Sequence, residues 1–163
     1  MEVGPSIADV VLEEAHVQEP IIVSLLVGVL ESQIDRLSEA PPIPTAGIEP
    51  SQAVANVLRA AGKQMLARPV LATAMLQANN AAQLKGGNQY TEANAAFHQL
   101  LFSALGVSEP GDEDYRMVRL VEQTWYGVLI SALNGVITRD EADEDVRLAT
   151  RLLLGPRYDG GAA

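Results

Sequence analysis

Residues 123–134 carry no charged side chain, and apolar residues occupy more than one face of the segment they belong to. Val118, Val121, Trp125, Val128 and Ala132 recur at intervals of 3, 4, 3 and 4, one helical seam. Gly127, Ser131 and Gly135 form a second row of small residues four apart. The pattern predicts a long helix over 112–134. A helix that is apolar all round must be covered all round. A chain of 163 residues makes one domain with a full core and not two. One such domain rarely covers both faces of so long a helix. Two apolar helices from each of two copies would supply the cover as a four-helix bundle; a central helix in a monomer is the alternative. The expectation is a homodimer through the last two helices, with Gly127, Ser131, Val146 and Leu153 at its interface.

The rest of the chain also reads as helices. Ser6 followed by Asp9 fits a capping box and starts a helix over 7–15. Pro20 opens a helix over 20–38, with Leu26, Leu30, Ile34 and Leu37 at helical spacing. Residues 39–50 hold four prolines and a glycine and form a stiff linker. Ser51 caps the next helix, which places Val54, Val57, Leu58, Ala61 and Met65 on one face. Arg68-Pro69 breaks it, because the residue before proline avoids helical torsions. Pro69 opens a helix carrying Val70, Leu71, Met75 and Leu76, and Gly86-Gly87 punctuates. Residues 91–105 form a helix with Phe97, Leu101, Phe102 and Leu105 inward and Gly106 as its left-handed cap. Thr138 and Glu141 make a capping box for the final helix, which turns Val146, Ala149, Leu152 and Leu153 to one side. Gly155-Pro156 stops it and leaves 156–163 as a mobile tail. The fold class is all-α with six to seven helices: 1–38, a linker at 39–50, the main domain at 51–155, and the tail.

Charge is divided unevenly. The net charge is -10, yet residues 1–35 contain seven acids and no Lys or Arg. An acidic chain is repelled by phosphate backbones and anionic membranes. An acidic start is the wrong flank for a secretory signal. The longest apolar run, over 21–30, is about half the length that spans a bilayer. With no cysteine there is no thiolate nucleophile, disulfide or zinc knuckle. These features place the protein in the cytoplasm, away from membranes.

Catalytic or metal constellations are not evident. His16 and His98 lie in no metal-binding spacing. His98, beside Phe97, reads as a surface or partly packed residue. Glu141, Asp143, Glu144 and Asp145 lack the alternation of a calcium loop, and acids in a first turn favour the helix dipole. The reading is not an enzyme, with no metal and no cofactor. Met65, Met75, Leu76, Phe97, Leu101, Phe102 and Trp125, drawn from four helices, are the candidate lining of a ligand pocket. The same residues would equally fill a core.

The stretch Arg119-Leu-Val-Glu-Gln-Thr-Trp125-Tyr-Gly-Val-Leu-Ile-Ser-Ala-Leu-Asn134 resembles the penultimate helix of TetR-family transcriptional regulators. So does the closing run Glu144-Asp-Val-Arg-Leu-Ala-Thr-Arg-Leu-Leu-Leu154-Gly155. The Trp, this ending, and the junction Arg68-Pro69-Val70-Leu71 with Ala74-Met75 are similar to actinobacterial repressors of cholesterol and lipid catabolism. The resemblance covers about residues 50–155. It implies a ligand-binding and dimerisation domain whose apolar effector, a lipid, steroid or acyl derivative, shifts the spacing of two DNA-reading heads. For a CoA thioester, Arg59, Lys63 and Arg68 would be the local cations.

The N-terminus departs from that family. Residues 7–17 are similar to the second helix and turn of a helix-turn-helix head, and residues 22–30 to the helix that follows it. Only Gln18-Glu-Pro-Ile21 lies between them, so the recognition helix has no positions here. The expectation is a truncated or degenerate head: a regulator that has lost DNA reading, or an incomplete reading of the gene. In function, it implies a TetR-like core that binds a small apolar effector and homodimerises with DNA binding lost or impaired. The alternative is a helical interaction protein that pairs with an intact regulator and holds it off DNA.

Overall fold

In the computed structural model, residues 47–85 and 88–160 are described, and five helices run through them. They are α1 (Pro50–Leu66), α2 (Pro69–Lys85), α3 (Asn88–Leu105), α4 (Asp112–Leu133) and α5 (Arg139–Tyr158). The class is all-α, as the periodicity predicts, and no strand occurs among the described residues. The helices expected over 7–15 and 20–38, most of the 39–50 linker, His16 and Gly86-Gly87 lie outside the described residues.

Helix α1 is the hub. It packs on each of the other four helices, and its contact with α5 is the most extensive in the domain, followed by that between α4 and α5. Its sequence explains this. Ala53, Ala55, Ala61 and Gly62 are buried alongside Val54, Val57, Leu58 and Leu66. Small side chains around the helix let several neighbours approach its backbone at once. The core then joins Val54, Val57 and Leu58 to Leu101, Phe102 and Leu105 of α3, Val118 and Val121 of α4, and Val146 and Leu154 of α5.

The ends of the helices follow local chemistry. Pro50 opens α1 as a preset first residue, so Ser51, expected as the cap, lies inside the first turn and Glu49 is the cap position. The break at Arg68-Pro69 is where the sequence puts it, with the Ala72 amide bonded to the Arg68 carbonyl at 2.9 Å. Two glycines close helices in the left-handed region. After α3, Gly106 (φ 73) brings the Val107 amide onto the Phe102 carbonyl at 3.0 Å. After α4, Gly135 (φ 70) brings the Val136 amide onto the Ser131 carbonyl at 2.9 Å. Both are Schellman closures, so Gly135 ends the helix and is not part of its row of small residues. The Thr138–Glu141 capping box is present: the Glu141 amide donates to Thr138 Oγ1 at 3.2 Å, and the Thr138 amide to Glu141 Oε2 at 2.7 Å.

Helix α5 departs from its reading in two ways. Its buried row is Ala142, Val146, Thr150 and Leu154, while Leu152 is 64% exposed. Thr150 fits inside because its hydroxyl donates to the Val146 carbonyl at 2.9 Å and leaves only a methyl to pack. The helix also does not stop at Gly155-Pro156 but runs through Pro156 to Tyr158. The reason is the anchoring of its last residues. Asp159 accepts from the Ser51 amide at 2.8 Å and from Ser51 Oγ at 2.6 Å. Tyr158 donates to Asp114 Oδ1 at 2.6 Å, and Arg157 reaches the same oxygen at 3.2 Å. The Asp159 carboxylate thus takes an amide from the first turn of α1, one of the groups no intrahelical partner can satisfy. Its negative charge also faces the positive end of that helix.

Candidate functional site

An open cleft of about 330 Å³ lies between α1, α4 and the first turns of α5. Helix α1 contributes Leu58, Arg59, Gly62, Lys63 and Leu66, a single stripe at helical spacing. Helix α4 contributes Trp125, Val128 and Leu129, and α5 contributes Arg139, Asp140, Ala142, Asp143 and Val146. Leu58, Leu66, Leu129, Ala142 and Val146 are buried and give the cleft an apolar floor. Gly62 lies against the indole: a Cβ there would meet Trp125 Nε1 at 3.6 Å, an ordinary van der Waals contact. Phe97 packs on Trp125 with ring centroids 5.7 Å apart, tilted by 38°.

The rim is charged. Arg59 Nη2 donates to Asp143 in an ion pair across α1 and α5. Asp143 is also 3.6 Å from Arg147, one turn along α5. The hydrogen bond from Arg59 holds the Asp143 carboxyl below its usual range against the cost of burial, aided by the charges of Arg59, Lys63 and Arg147. Arg139 Nη2 donates to the Leu66 carbonyl at 2.8 Å and closes the C-terminal end of α1. The Arg59 Nε is buried with no hydrogen-bond partner.

Of the seven residues expected to line a pocket, only Trp125 lines this cleft. Leu101 and Phe102 are 0% and 1% exposed and belong to the core. Phe97 stands behind Trp125, while Met75 is buried and Met65 and Leu76 are half-buried away from the cleft lining. The apolar residues singled out by size are mainly core. The cleft is marked instead by Gly62 inside a helix beside Arg59 and Lys63, a small residue next to two cations. Arg59 and Lys63 stand in the sequence as local cations; Arg68 is exposed and is not in the lining.

A second polar cluster lies between α3 and α4. His98 Nε2 and Glu122 Oε2 are 2.8 Å apart, with the two side chains 21% and 17% exposed. The other Glu122 oxygen, Oε1, and the Tyr126 hydroxyl are buried without partners. His98 is therefore partly packed, and its pairing with Glu122, 24 residues away, could not be read from local sequence.

The residues expected at a dimer interface divide between two sides. Gly127 is exposed with open space where a Cβ would go, and Ser131 is half-buried. Val146 is 5% exposed and Leu153 packs against the core, so these two face inward. The outer faces of α4 and α5 instead show Leu120 (39% exposed), Leu148 (45%) and Leu152 (64%). Among the described residues no group of three or more His, Asp or Glu side chains is placed to hold a metal ion, and no helix is long and apolar enough to cross a membrane.

The five helices thus pack around a central α1, with the cleft beside Trp125 bounded by α1, α4 and α5. Residues 47–153 match the family described as tetracyclin repressor-like, C-terminal domain, and the chain belongs to that family. It is also similar to the crystal structure of a TetR transcriptional regulator from Rhodococcus sp. RHA1, with 38% identity and a TM-score of 0.73. That match covers 85% of this chain and 75% of the other. No curated protein matches. The protein is thus a TetR-family regulator by descent and fold, as the resemblance in α4 and α5 implies.

Proposed function

We propose that this domain is the sensing and pairing part of a TetR-type transcriptional regulator. It takes a small, largely apolar effector and pairs two copies through α4 and α5. The observation that carries the effector reading is the cleft beside Trp125, whose apolar floor and volume suit a small ligand. Trp125 is the single tryptophan of the chain, so its emission reports the surroundings of this cleft. Titration with uncharged apolar compounds such as decanol is expected to shift or quench that emission saturably. A flat response across chain lengths refutes the effector reading.

Pairing is supported by the exposed apolar residues of α4 and α5, Leu120, Leu148 and Leu152, and by the open space at Gly127. Leu148 and Leu152 stand one turn apart on α5, so they share a face that a partner helix could cover. Residues 1–35, with seven acids and no base, supply no phosphate contacts, and in this reading the 163-residue chain does not bind duplex DNA by itself. The work of the domain is regulation by a population shift between pairing geometries, with no catalysis.

A further inference from the structure

We propose that two copies meet antiparallel along α5, turned about an axis at Leu148, and that Glu144 of each copy reads the partner's Arg151. The inference rests on the pairing of two copies argued above and adds the residues that fix its orientation and its choice of partner. Helix α5 buries Ala142, Val146, Thr150 and Leu154. Leu148 stands halfway round the helix from that row, at the centre of the outer face. The exposed charges are sorted by sign about it. Glu141, Glu144 and Asp145 come before it, and Arg147, Arg151 and Arg157 after it.

Several of these charges are already engaged within one copy. Glu141 caps the helix with Thr138, Arg147 lies 3.6 Å from Asp143, and Arg157 pairs with Glu113 and Asp114. Glu144, Asp145 and Arg151 have no ion-pair partner among the described residues. A face that is negative at one end and positive at the other complements a copy of itself only when that copy is turned end over end. A parallel copy would set acid against acid and base against base, which is costly. Helix geometry then picks the pair. Counting about 100° and about 1.5 Å per residue, Glu144 lies about 6 Å before Leu148 and Arg151 about 4.5 Å after it, both to the same side of the outer face. Turning end over end keeps the side and reverses the order, so each Glu144 meets the partner's Arg151 while Leu148 meets its own copy. On the other side Asp145 falls beside the partner's Leu152 and stays at the rim.

The test is a charge exchange in the full chain, read by sedimentation. Glu144→Arg and Arg151→Glu are each expected to weaken self-association about tenfold or more, because each turns both attractive contacts into repulsive ones. Mixing the two variants is expected to restore dimers, and so is combining both changes in one chain. Both side chains are exposed, so the thermal melts of the monomers stay alike. The chain has no cysteine, which allows a second readout. Leu148→Cys is expected to form a disulfide with its own copy. Leu152→Cys is not, since its two copies would stand about 12 Å apart along the axis. Single variants that dimerise like the parent, a mixture that stays monomeric, or a disulfide at 152 and none at 148 would overturn this register while pairing stands. A parent chain that is monomeric at micromolar concentration overturns both.

Discussion

Asp159 should be among the most costly polar residues to remove, although it lies past the end of the last helix. Its two oxygens accept from the Ser51 amide at 2.8 Å and the Ser51 hydroxyl at 2.6 Å, and Ser51 is 4% exposed. Hydrogen bonds to a charged group contribute about 1.5–3 kcal/mol each, and loss of a helix N-terminal acceptor costs about 0.5–2 kcal/mol. The two descriptions overlap, so Asp159→Ala is expected to cost about 2–3 kcal/mol in urea unfolding. For a chain of this length that lowers the melting temperature by about 5–10 °C. Ser51→Ala removes one of the two bonds and should cost about 1 kcal/mol, and the pair should couple in a double-mutant cycle. Gly155→Ala separates this account from a purely local one. Helix propensity alone favours alanine by about 0.5–1 kcal/mol. Yet a Cβ at 155 would lie 2.9 Å from Asp159 Oδ2, and it would push that carboxylate off Ser51. The expected result is a less stable protein. A Gly155→Ala variant more stable than the parent, together with Asp159→Ala within 0.5 kcal/mol of it, a change of ordinary surface size, would refute the clamp.

The other predictions concern pH, core, cleft and surface. Burial, reinforced by the bond to Asp114, pushes the Tyr158 hydroxyl from 10 up to about 12, so its contribution is complete below pH 10 and is lost as pH rises toward 12; Tyr158→Phe should flatten that alkaline limb in a stability–pH profile. Asp114 is lowered by the Tyr158 hydrogen bond first and the Gly111 amide second, so its contribution is present above its ordinary value of 3.8 and is lost as pH falls through the lower folded value; Asp114→Asn should weaken acid sensitivity. Phe102→Ala, at 1% exposure, should cost about 3–5 kcal/mol by calorimetry or urea melt. Gly62→Leu should fill the cleft beside Trp125 and abolish the decanol response while the far-UV spectrum is retained. Leu148→Glu with Leu152→Glu should leave the fold intact and yield monomers in sedimentation, whereas dimers unchanged by both would exclude this face from pairing.

Much of the fold was legible because it is local. The Thr138–Glu141 box, the Arg68-Pro69 break and Gly106 each depend on residues within five positions of one another, and each is found where the sequence places it. The seam of α4 was legible for the same reason, since helical period alone sets its face. The cleft was less legible. Large apolar residues such as Leu101 and Phe102 look alike in sequence whether they fill a core or line a hole, and here they fill the core. Val146 likewise reads as interface or interior until α1 is placed against it. The Arg59–Asp143 and Ser51–Asp159 pairs join residues 84 and 108 positions apart, and no local pattern announces such a meeting. The second also carries α5 past a proline that local rules read as a stop.

That long-range pair has a consequence for the timing of folding. The Ser51–Asp159 contact closes a loop of 108 positions around the domain. Bringing such distant residues together costs loop entropy that must be met before the contact contributes anything. The packing of α1 on α5 closes that same loop, so we expect the contact to form late, when the end of α5 settles onto the first turn of α1. A contact absent from the transition state affects the unfolding rate and leaves the folding rate alone. Asp159 is thus a latch in the kinetic sense, and its loss should shorten the lifetime of the folded domain without slowing its formation.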